Sequence, residues 1–389
     1  MKRVAIGFGV VLLAVFIGVY FFAPGLIEGS VNLVEEHEPY EISDEARDLH
    51  STLTVVDLHS DTMLWGRNPL KRRSTGHVDV PRMVEGNMAL QVFSSTTKSP
   101  AGQNYESNSA DARDQLTPVT VLGLWPIKSW TSIYERAVHQ ARELYAAEEQ
   151  APKALLVVTS RSDLDALLEA RAEGKPLVGG ILLTEGSHPL EGDLTNVQKL
   201  YDEGYRIMGL QHFFDNRLGG SLHGQSGDGL TEFGKAAVSE MERLGIIIDV
   251  AHSSPAVVRN VLTLSNRPII VSHTGLKGAC DSPRNLEDDL MKEIAAKGGL
   301  IGIGFWDAAV CDYTPAGIVR SIRYGIDLLG VDHVALGSDY DGSTTVLMDA
   351  AEIPALTHEM LNAGFTEEEI RKVMGENAVR LLRDLLPQE

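Results

Sequence analysis

The chain has 389 residues, of which 43% are hydrophobic, so it is long enough for one large α/β barrel and apolar enough to fill the core. Its 16 prolines and the absence of long single-residue runs argue against extensive disorder. Acidic residues outnumber basic ones by 54 to 34, for a formal charge of −20. This excess argues against binding to nucleic acid, which requires clustered Lys and Arg.

The N-terminal segment has the composition of a membrane-spanning helix. Lys2 and Arg3 precede Val4–Phe22, a run without a charged residue. As a helix this run would be roughly 28 Å long, about the thickness of the hydrocarbon core of a bilayer. Because basic flanks stay in the cytoplasm, the rest of the chain would lie outside it, in the periplasm or the extracellular space. We expect residues 1–27 to be an uncleaved anchor, and a cleaved signal peptide is the alternative.

The next part of the sequence predicts a linker over residues 28–50, followed by one catalytic domain over residues 51–389. No internal repeat and no second linker interrupts the longer segment. Four acidic residues in the linker are interpreted as parts of a solvated stalk, namely Glu28, Glu35, Glu36 and Glu38.

Beyond residue 50, eight short apolar runs alternate with helical segments. Most of these runs are continuously apolar, as expected for strands that are covered on both faces. Eight such alternations predict a (β/α)8 barrel, the TIM-barrel fold. The predicted strands are Leu53–His59, Ala89–Ser95, Leu177–Glu185, Arg206–His212, Ile246–His252, Pro268–His273, Leu300–Trp306 and His333–Asp339.

Two helices and one long loop can also be predicted. Apolar residues at helical spacing indicate a helix over Leu230–Leu244. Thr366 and Glu369 form a capping-box pattern, which predicts a last helix that continues to Leu386. The segment Thr97–Thr131 is rich in Ser, Asn, Gly and Pro. It predicts an extended loop after the second strand, placed to cover the active site.

Six of the predicted strands end in side chains that can bind a metal ion. The C-terminal ends of barrel strands face the active site, and histidine with carboxylate suits zinc or a similar cation. A single His would more often be a hydrogen-bonded core residue, and a single Asp a helix cap. Six such ends are harder to dismiss, because buried ionisable groups are costly unless they are paired or bind a metal. These residues are His59 with Asp61, then Glu185, His212, His252, His273 and Asp339.

Other motifs are weaker. Glu185 and His188 form an E-x-x-H pattern, but Gly186 and Pro189 argue against a helix, so we expect His188 to form a hydrogen bond in a loop. Ser60, Ser253 and Ser272 lack a G-x-S-x-G context, which argues against a serine nucleophile. Cys280 and Cys311 could form a disulfide in an exported protein or remain as two buried thiols.

The motifs together resemble the membrane dipeptidases (renal dipeptidases), peptidase family M19 of the metal-dependent amidohydrolase superfamily. They occur in the family's order over residues 51 to 380. The matching segments are Asp57-Leu58-His59-Ser60-Asp61, Glu185-Gly186-Ser187-His188, Leu210-Gln211-His212, Gly245 through Ser253, Ser272-His273, Ser282-Pro283-Arg284-Asn285 and Gly337-Ser338-Asp339-Tyr340-Asp341-Gly342.

The resemblance implies a dipeptidase that uses two Zn²⁺ ions to activate water. It places His59 and Asp61 on one ion, His252 and His273 on the other, and Glu185 as a bridge between them. His212 and Arg284 would bind the substrate, with His212 also stabilising the oxyanion.

By the same resemblance, Asp339 would carry the proton, and Cys280 and Cys311 match a disulfide position. A second disulfide of the mammalian members has no counterpart, because Phe214 occupies the position of the cysteine.

The expected partners are dipeptides and, through the N-terminal helix, a membrane, with a homodimer left open. Two other functions remain as alternatives. One is another amidohydrolase-superfamily enzyme, such as a lactonase or a deaminase. The other is a non-catalytic, membrane-tethered binding protein, which would be expected to lack at least one metal or proton-transfer residue. Every such residue that can be placed is present in this chain.

Overall fold

A computed structural model describes residues 25–389. Its strands are β1 (Leu33–Val34), β2 (Val55–Ser60), β3 (Met88–Thr96), β4 (Leu155–Val157), β5 (Val178–Glu185), β6 (Tyr205–Gly209), β7 (Ile247–Asp249), β8 (Ile270–Thr274), β9 (Leu300–Ile303), β10 (Val334–Leu336) and β11 (Thr345–Val346). Its helices are α1 (residues 25–31), α2 (Asp44–Ser51), α3 (Val80–Glu85), α4 (Thr117–Leu122), α5 (Ile133–Gln150), α6 (Arg161–Ala172), α7 (Thr195–Asp202), α8 (Glu232–Leu244), α9 (Pro255–Leu264), α10 (Asp288–Ala296), α11 (Asp307–Val310), α12 (Pro315–Leu329), α13 (Pro354–Asn362), α14 (Glu367–Arg371) and α15 (Asn377–Leu385). Four short 3-10 helices cover Thr62–Trp65, Ile127–Trp130, His188–Leu190 and Val331–His333.

Eight parallel strands form a closed barrel, which confirms the predicted fold. The order around the sheet is β3-β2-β10-β9-β8-β7-β6-β5, and pairing of β3 with β5 closes it. All eight strands lie within or beside the predicted runs. They are almost wholly buried because helices cover the outside and side chains fill the inside.

The sequence did not reveal the ninth strand of this sheet, β4. It pairs with the first half of β5, at Leu155–Val157. Three residues are too short a run for a periodic pattern to indicate a strand.

The segment before the barrel packs against it, and the stalk interpretation is wrong for Glu28. This side chain is 2% exposed and lies beside Arg67. Strand β1 pairs in parallel with β11, and α2 packs on α13. Glu35, Glu36 and Glu38 are exposed, as expected for solvated carboxylates. Thus only part of residues 28–50 resembles a stalk.

The predicted helix boundaries hold at α8 but not at the C-terminus. Helix α8 begins after Thr231, whose side chain accepts a hydrogen bond from a backbone N–H, and ends at Gly245 with φ of 77°. The capping box at Thr366 is confirmed. The last helix is nevertheless interrupted by a π-helical turn over Lys372–Glu376. At Gly375 the chain lies against the backbone of Thr54, where a Cβ would be 1.8 Å from the carbonyl oxygen.

The described residues include the predicted disulfide, between Cys280 and Cys311. Within residues 25–389, no helix combines the length and the hydrophobicity needed to cross a bilayer. The predicted anchor, Val4–Phe22, lies outside the described residues.

Candidate active site

The side chains predicted from the strand ends meet at the C-terminal mouth of the barrel. His59 and His273 lie within β2 and β8, and Glu185 is the last residue of β5. His212 and His252 follow β6 and β7 by three residues each. All of these side chains are nearly or fully buried, so the protein supplies their environment rather than bulk water.

Glu185 is at the centre of this cluster. Its Oε1 atom lies 3.2 Å from the Nε2 atom of His252 and 3.5 Å from the Nε2 atoms of both His59 and His273. Its Oε2 atom lies 3.4 Å from the Nε2 atom of His212. Both oxygens of this carboxylate therefore face histidine nitrogens, three of them at Oε1 and one at Oε2.

Asp61 and Asp339 complete the cluster around His59. Their Oδ1 atoms lie 3.7 Å and 3.9 Å from His59 Nε2. Asp339 follows β10 in a left-handed conformation, with φ of 60°, which Asp tolerates better than most residues. The structure therefore brings together all seven residues that the strand-end pattern indicated.

The donor set fits a metal ion. His59 Nε2 is buried without a hydrogen-bond partner among the described residues, although three carboxylates surround it. The Nε2 atoms of His252 and His273 are 2.9 Å apart, so both nitrogens point into the same space. Three sets of ligand atoms lie within 4.8 Å of one another: His59, Asp61 and Glu185; Glu185, His212 and His252; and His59, His273 and Asp339. Imidazole and carboxylate are suitable ligands for first-row divalent cations.

The electrostatics of the cluster also favour a cation. Burial alone would lower the pKa of His59, but Asp61 and Glu185 outweigh it and raise this pKa to about 10. Burial lowers the pKa of His252 and His273 well below the ordinary value, with Arg284 adding to the effect on both. Neutral imidazoles have the free lone pair that a metal ligand needs.

A buried aspartate that was not assigned from the sequence orients two of these histidines. Asp249 Oδ2 accepts a hydrogen bond from Ser272 Oγ at 2.6 Å. Ser272 Oγ lies 2.9 Å from Nδ1 of His273 and 3.3 Å from Nδ1 of His59. Such outer contacts fix the ring orientation of metal ligands. In the sequence, this orienting role is indicated by the position of Asp249, an acidic residue at the end of an apolar run.

Asp57 has a similar position on β2. Its carboxylate accepts hydrogen bonds from Gln91 Nε2 at 2.6 Å and from both N and Oγ of Ser338 at 2.7 Å. These contacts join the strand that carries His59 to the turn that carries Asp339. The D-x-H spacing in the sequence places Asp57 two residues before His59. It does not identify the hydrogen-bond partners of Asp57, because these depend on which strands are neighbours.

Arg284 is locked beside the histidines. Its side chain is almost fully buried, with Nη1 donating to the carbonyl oxygen of Ala251 at 3.0 Å and Nη2 to that of His273 at 2.6 Å. A guanidinium has five N–H donors, so these two bonds leave others for a ligand. Burial lowers the pKa of Arg284, and Asp339 opposes that shift.

The site opens into a cavity of about 240 Å³. This volume is below the ~300–1,000 Å³ of common pockets for drug-sized ligands, so it suits a small substrate. Glu185, His212, His252, Arg284 and Asp339 line the cavity. The predicted binding residues therefore share one space with the candidate metal ligands.

The segment after β3 contributes to this cavity, as predicted for Thr97–Thr131, although the segment contains α4 and a 3-10 helix and is not an extended loop throughout. Tyr105 lines the cavity, and its hydroxyl accepts a hydrogen bond from Trp306 Nε1 at 2.9 Å. Thr96, the last residue of β3, was not assigned from the sequence. Its Oγ1 atom lies 2.6 Å from Asp61 Oδ1 and 2.8 Å from Glu185 Oε2. The hydroxyl thus holds two candidate ligands in place.

His188 does not behave as the sequence predicted. It begins the 3-10 helix His188–Leu190 rather than lying in a loop, and its buried Nε2 has no hydrogen-bond partner in the part of the chain that the structure describes. The ring instead stacks on Phe214, with centroids 4.7 Å apart. Burial, with the neighbouring His212, lowers the pKa of His188 to about 3, so this histidine remains neutral.

A closed (β/α)8 barrel with buried histidines and carboxylates at its C-terminal mouth defines a metal-dependent hydrolase. A sequence model of the membrane dipeptidase family, peptidase family M19, matches residues 43–386, and the chain belongs to this family. The enzyme is accordingly a metallo-dipeptidase, and the resemblance seen in the sequence is confirmed.

Solved structures agree with this assignment. The chain is 27% identical to the dipeptidase AC, a metallopeptidase of family M19, with a TM-score of 0.70 over 87% of this chain and 100% of that one. It is also 27% identical to a metallopeptidase from Rhodobacter sphaeroides liganded with a phosphinate mimic of the dipeptide L-Ala-D-Ala, with a TM-score of 0.69 over 86% and 99% of the two chains. An amidohydrolase from Pseudomonas aeruginosa, 21% identical, shares the fold with a TM-score of 0.66 over 88% and 99%.

Proposed function

We propose that this enzyme hydrolyses the peptide bond of dipeptides with a free C-terminal carboxylate, using two Zn²⁺ ions. The observation that carries the proposal is the position of Glu185, whose carboxylate is shared among His59, His252 and His273 at 3.2–3.5 Å. The buried guanidinium of Arg284 lies in the same small cavity. A binuclear centre beside a fixed cationic side chain suits a short, anionic substrate.

His59 and Asp61 would hold one ion, His252 and His273 the other, and Glu185 both. Bound there, the pair would supply Lewis-acid activation of water and of the peptide carbonyl. The protein's own contribution is orientation, because Thr96, Ser272 and Asp249 hold these ligands by hydrogen bonds.

Asp339 is the proposed proton carrier. Burial raises its pKa well above the ordinary range, and the carboxylates of Glu185 and Asp61 add to that shift. A carboxyl group with a raised pKa can take a proton from water and return it to the leaving amine. His212 faces the same cavity and is the proposed donor to the oxygen that becomes negatively charged during attack.

Arg284 is the proposed partner of the substrate's C-terminal carboxylate. Its bonds to two backbone carbonyls fix the plane of the guanidinium before a substrate arrives. A fixed guanidinium can bind a carboxylate through two parallel hydrogen bonds. This role separates the proposal from a lactonase or a deaminase, which would not require a free carboxylate at that position.

The test is metal content measured together with rates on a dipeptide panel. The panel should contain free-acid and C-terminally amidated pairs, and L- and D-residues at the C-terminal position, since one relative was solved with a mimic of L-Ala-D-Ala. We expect two zinc ions per chain and much slower hydrolysis of the amides. Equal rates on acids and amides would remove Arg284 as the carboxylate partner, and faster turnover of lactones would favour the alternative.

We also propose that the catalytic domain lies outside the cytoplasm and is held by an uncleaved apolar segment, Val4–Phe22. The disulfide between Cys280 and Cys311 supports an oxidising compartment. Sodium carbonate extraction of membranes from cells that express the full chain would test the anchor. Release into the soluble fraction, or a mature N-terminus beyond residue 22, would contradict it.

A further inference from the structure

One short stretch of the surface is unusually apolar. Within residues 25–389, eight large hydrophobic side chains are exposed, and five of them fall in two segments, α1 and the stretch from α4 to Ile127. We call these five the apolar patch. Its members and their exposed fractions are Leu26 (71%), Val121 (36%), Leu122 (37%), Leu124 (48%) and Ile127 (76%).

The two segments of the apolar patch are neighbours in space. Both line one cavity of about 260 Å³, to which α1 contributes Ile27 and α4 contributes Leu122. The inner side of the stretch is well packed, because Trp125 forms a small apolar cluster with Leu64 and Leu116. The exposed side chains of the apolar patch therefore belong to a segment whose inner side is folded and packed.

The backbone conformation of Leu124 is unfavourable in this arrangement. This residue adopts φ of 48°, a left-handed conformation that is uncommon outside Gly, Asn and Asp. Its side chain gains little burial in return, since 48% of it remains exposed. Packing within the chain does not explain why a leucine occupies this position. Backbone strain that packing does not explain is typical of functional sites.

The stretch is also held firmly. Arg136 donates to Oγ1 of Thr117, at the start of α4, at 2.7 Å and to the carbonyl oxygen of Ser129, beyond Ile127, at 2.9 Å. Trp130 Nε1 donates to the carbonyl oxygen of Trp125 at 2.9 Å. Because both ends are fixed, the exposed leucine and isoleucine cannot readily turn inward to bury themselves.

We propose that the apolar patch rests on the surface of the lipid bilayer that holds the enzyme. The proposal depends on the membrane anchor proposed above. Val4–Phe22 ends three residues before Gly25, where α1 is already in place, and three residues span at most about 10 Å. The patch is therefore tethered within reach of the membrane surface.

The composition of the stretch suits that environment. Leucine and isoleucine favour the boundary with the acyl chains. Trp130, which follows Ile127 by three residues and is partly exposed, is of a residue type enriched at the membrane interface. Lys128 lies next to Ile127 with 79% of its side chain exposed, so its amine can reach the headgroups. A second copy of the chain is a poorer occupant, because five side chains are few for an interface that usually needs about 800 Å² from each partner.

The experiment uses the full chain in phosphatidylcholine vesicles with brominated acyl chains, which quench tryptophan only at close range. Two reporters are compared with the unsubstituted chain. Ile127→Trp places a reporter in the apolar patch, and Leu264→Trp places one at the end of α9, on the opposite end of the barrel, where the native leucine is 40% exposed. We expect the quenched fraction of fluorescence to rise for Ile127→Trp and to fall for Leu264→Trp.

A second variant checks the patch without a new reporter. Leu124→Ser with Ile127→Ser should stay in the vesicles after a carbonate wash but lose most of the quenching of the native tryptophans. Its dipeptidase rate should remain within about twofold, because neither side chain lines the catalytic cavity.

Three outcomes would overturn the proposal. A chain that remains in the vesicles but shows no quenching at position 127 would reject the patch and leave the anchor intact. Equal quenching at positions 127 and 264 would show that the domain has no preferred orientation. A chain that washes out of the vesicles would reject both the anchor and the membrane contact, without bearing on the dipeptidase assignment.

Discussion

Two buried groups of charged side chains lie side by side at the mouth of the barrel, and they differ in the kind of cationic side chain that faces their carboxylates. In the Arg67 cluster, which consists of Glu28, Arg67, His77 and Asp341, the aspartate accepts hydrogen bonds from Thr62 Oγ1 at 2.7 Å and from the His77 backbone N–H at 2.6 Å, and it also pairs with Arg67. In the metal-ligand cluster, which consists of the candidate ligands His59, Asp61, Glu185, His252 and His273, the two carboxylates pair with histidine nitrogens and with no Arg or Lys among the described residues.

The contrast separates a structural charge cluster from a functional one. Both groups are removed from water, so burial alone does not identify a metal site. In the Arg67 cluster, the guanidinium pairs with the carboxylates of Glu28 and Asp341 and offsets part of the cost of their burial, although Nε2 of His77 has no hydrogen-bond partner among the described residues. In the metal-ligand cluster the same cost remains, and a divalent cation would offset it.

The largest expected effect comes from removing a ligand. His59→Ala and His252→Ala should each abolish hydrolysis and lower the zinc content, because each removes an imidazole that faces Glu185. His333→Ala, before β10 at the opposite end of the barrel, is the matched control and should keep both. Elemental analysis and a dipeptidase assay provide the measurement. Two zinc ions retained in either ligand variant would contradict the assignment.

Asp339→Asn should reduce the rate and leave the metal centre occupied. Asparagine keeps the shape of the side chain but cannot accept a proton at neutral pH. A fall in kcat of roughly 10²–10⁴-fold is expected, with both zinc ions bound. Loss of one zinc would make Asp339 chiefly a ligand, whereas an unchanged kcat with a higher KM would make it a recognition residue.

A smaller effect is expected at Asp249, which acts through Ser272 on His273 and His59. Asp249→Asn should weaken zinc binding by roughly 10–100-fold while the fold persists. Zinc competition with a chelator measures the affinity, and addition of excess zinc should recover most of the activity. Unchanged zinc affinity would restrict this aspartate to packing within the barrel.

The smallest effect is expected in the Arg67 cluster and concerns stability. Burial raises the pKa of Glu28 from 4.5 to about 7, partly opposed by Arg67. In that range the folded state holds a proton that the unfolded state releases, so stability should fall as pH rises, by at most about 1.4 kcal/mol per pH unit. Glu28→Gln should flatten this dependence in urea unfolding curves, and its zinc content should match that of the unsubstituted chain. The same slope in both proteins would contradict the assignment.

The sequence predicted which candidate ligands would meet at the barrel mouth but not the Arg67 cluster, and the reason is topological. Every ligand follows an apolar run, and parallel strands bring their C-terminal ends together, so a one-dimensional pattern carries the information. Arg67, His77 and Asp341 lie in irregular loops, where no periodicity connects one position with another. Glu28 resembled a solvated acidic residue because nothing in its neighbourhood indicates the strand pairing that follows it.

The same limit explains the smaller errors. Thr96 and Asp249 were visible in the sequence as polar residues at strand ends, but their hydrogen bonds depend on which strands are adjacent. The interruption near Gly375 depends on the distance to Thr54, about 320 positions earlier in the chain. Contacts of this kind are set by the closed barrel and not by local preference.

The pairing of β1 with β11 limits how an enzyme held by the proposed anchor could be released from a membrane. Asn32 Oδ1 accepts a hydrogen bond from the backbone N–H of Ser343 at 2.8 Å, four residues after Asp339, and Glu28 faces Arg67. A protease that cut the chain on the C-terminal side of Glu28 and Asn32 would release a domain without these contacts near Asp339. Only a cut on the N-terminal side of Glu28 would release an intact enzyme, so the sequence offers a releasing protease very few acceptable bonds.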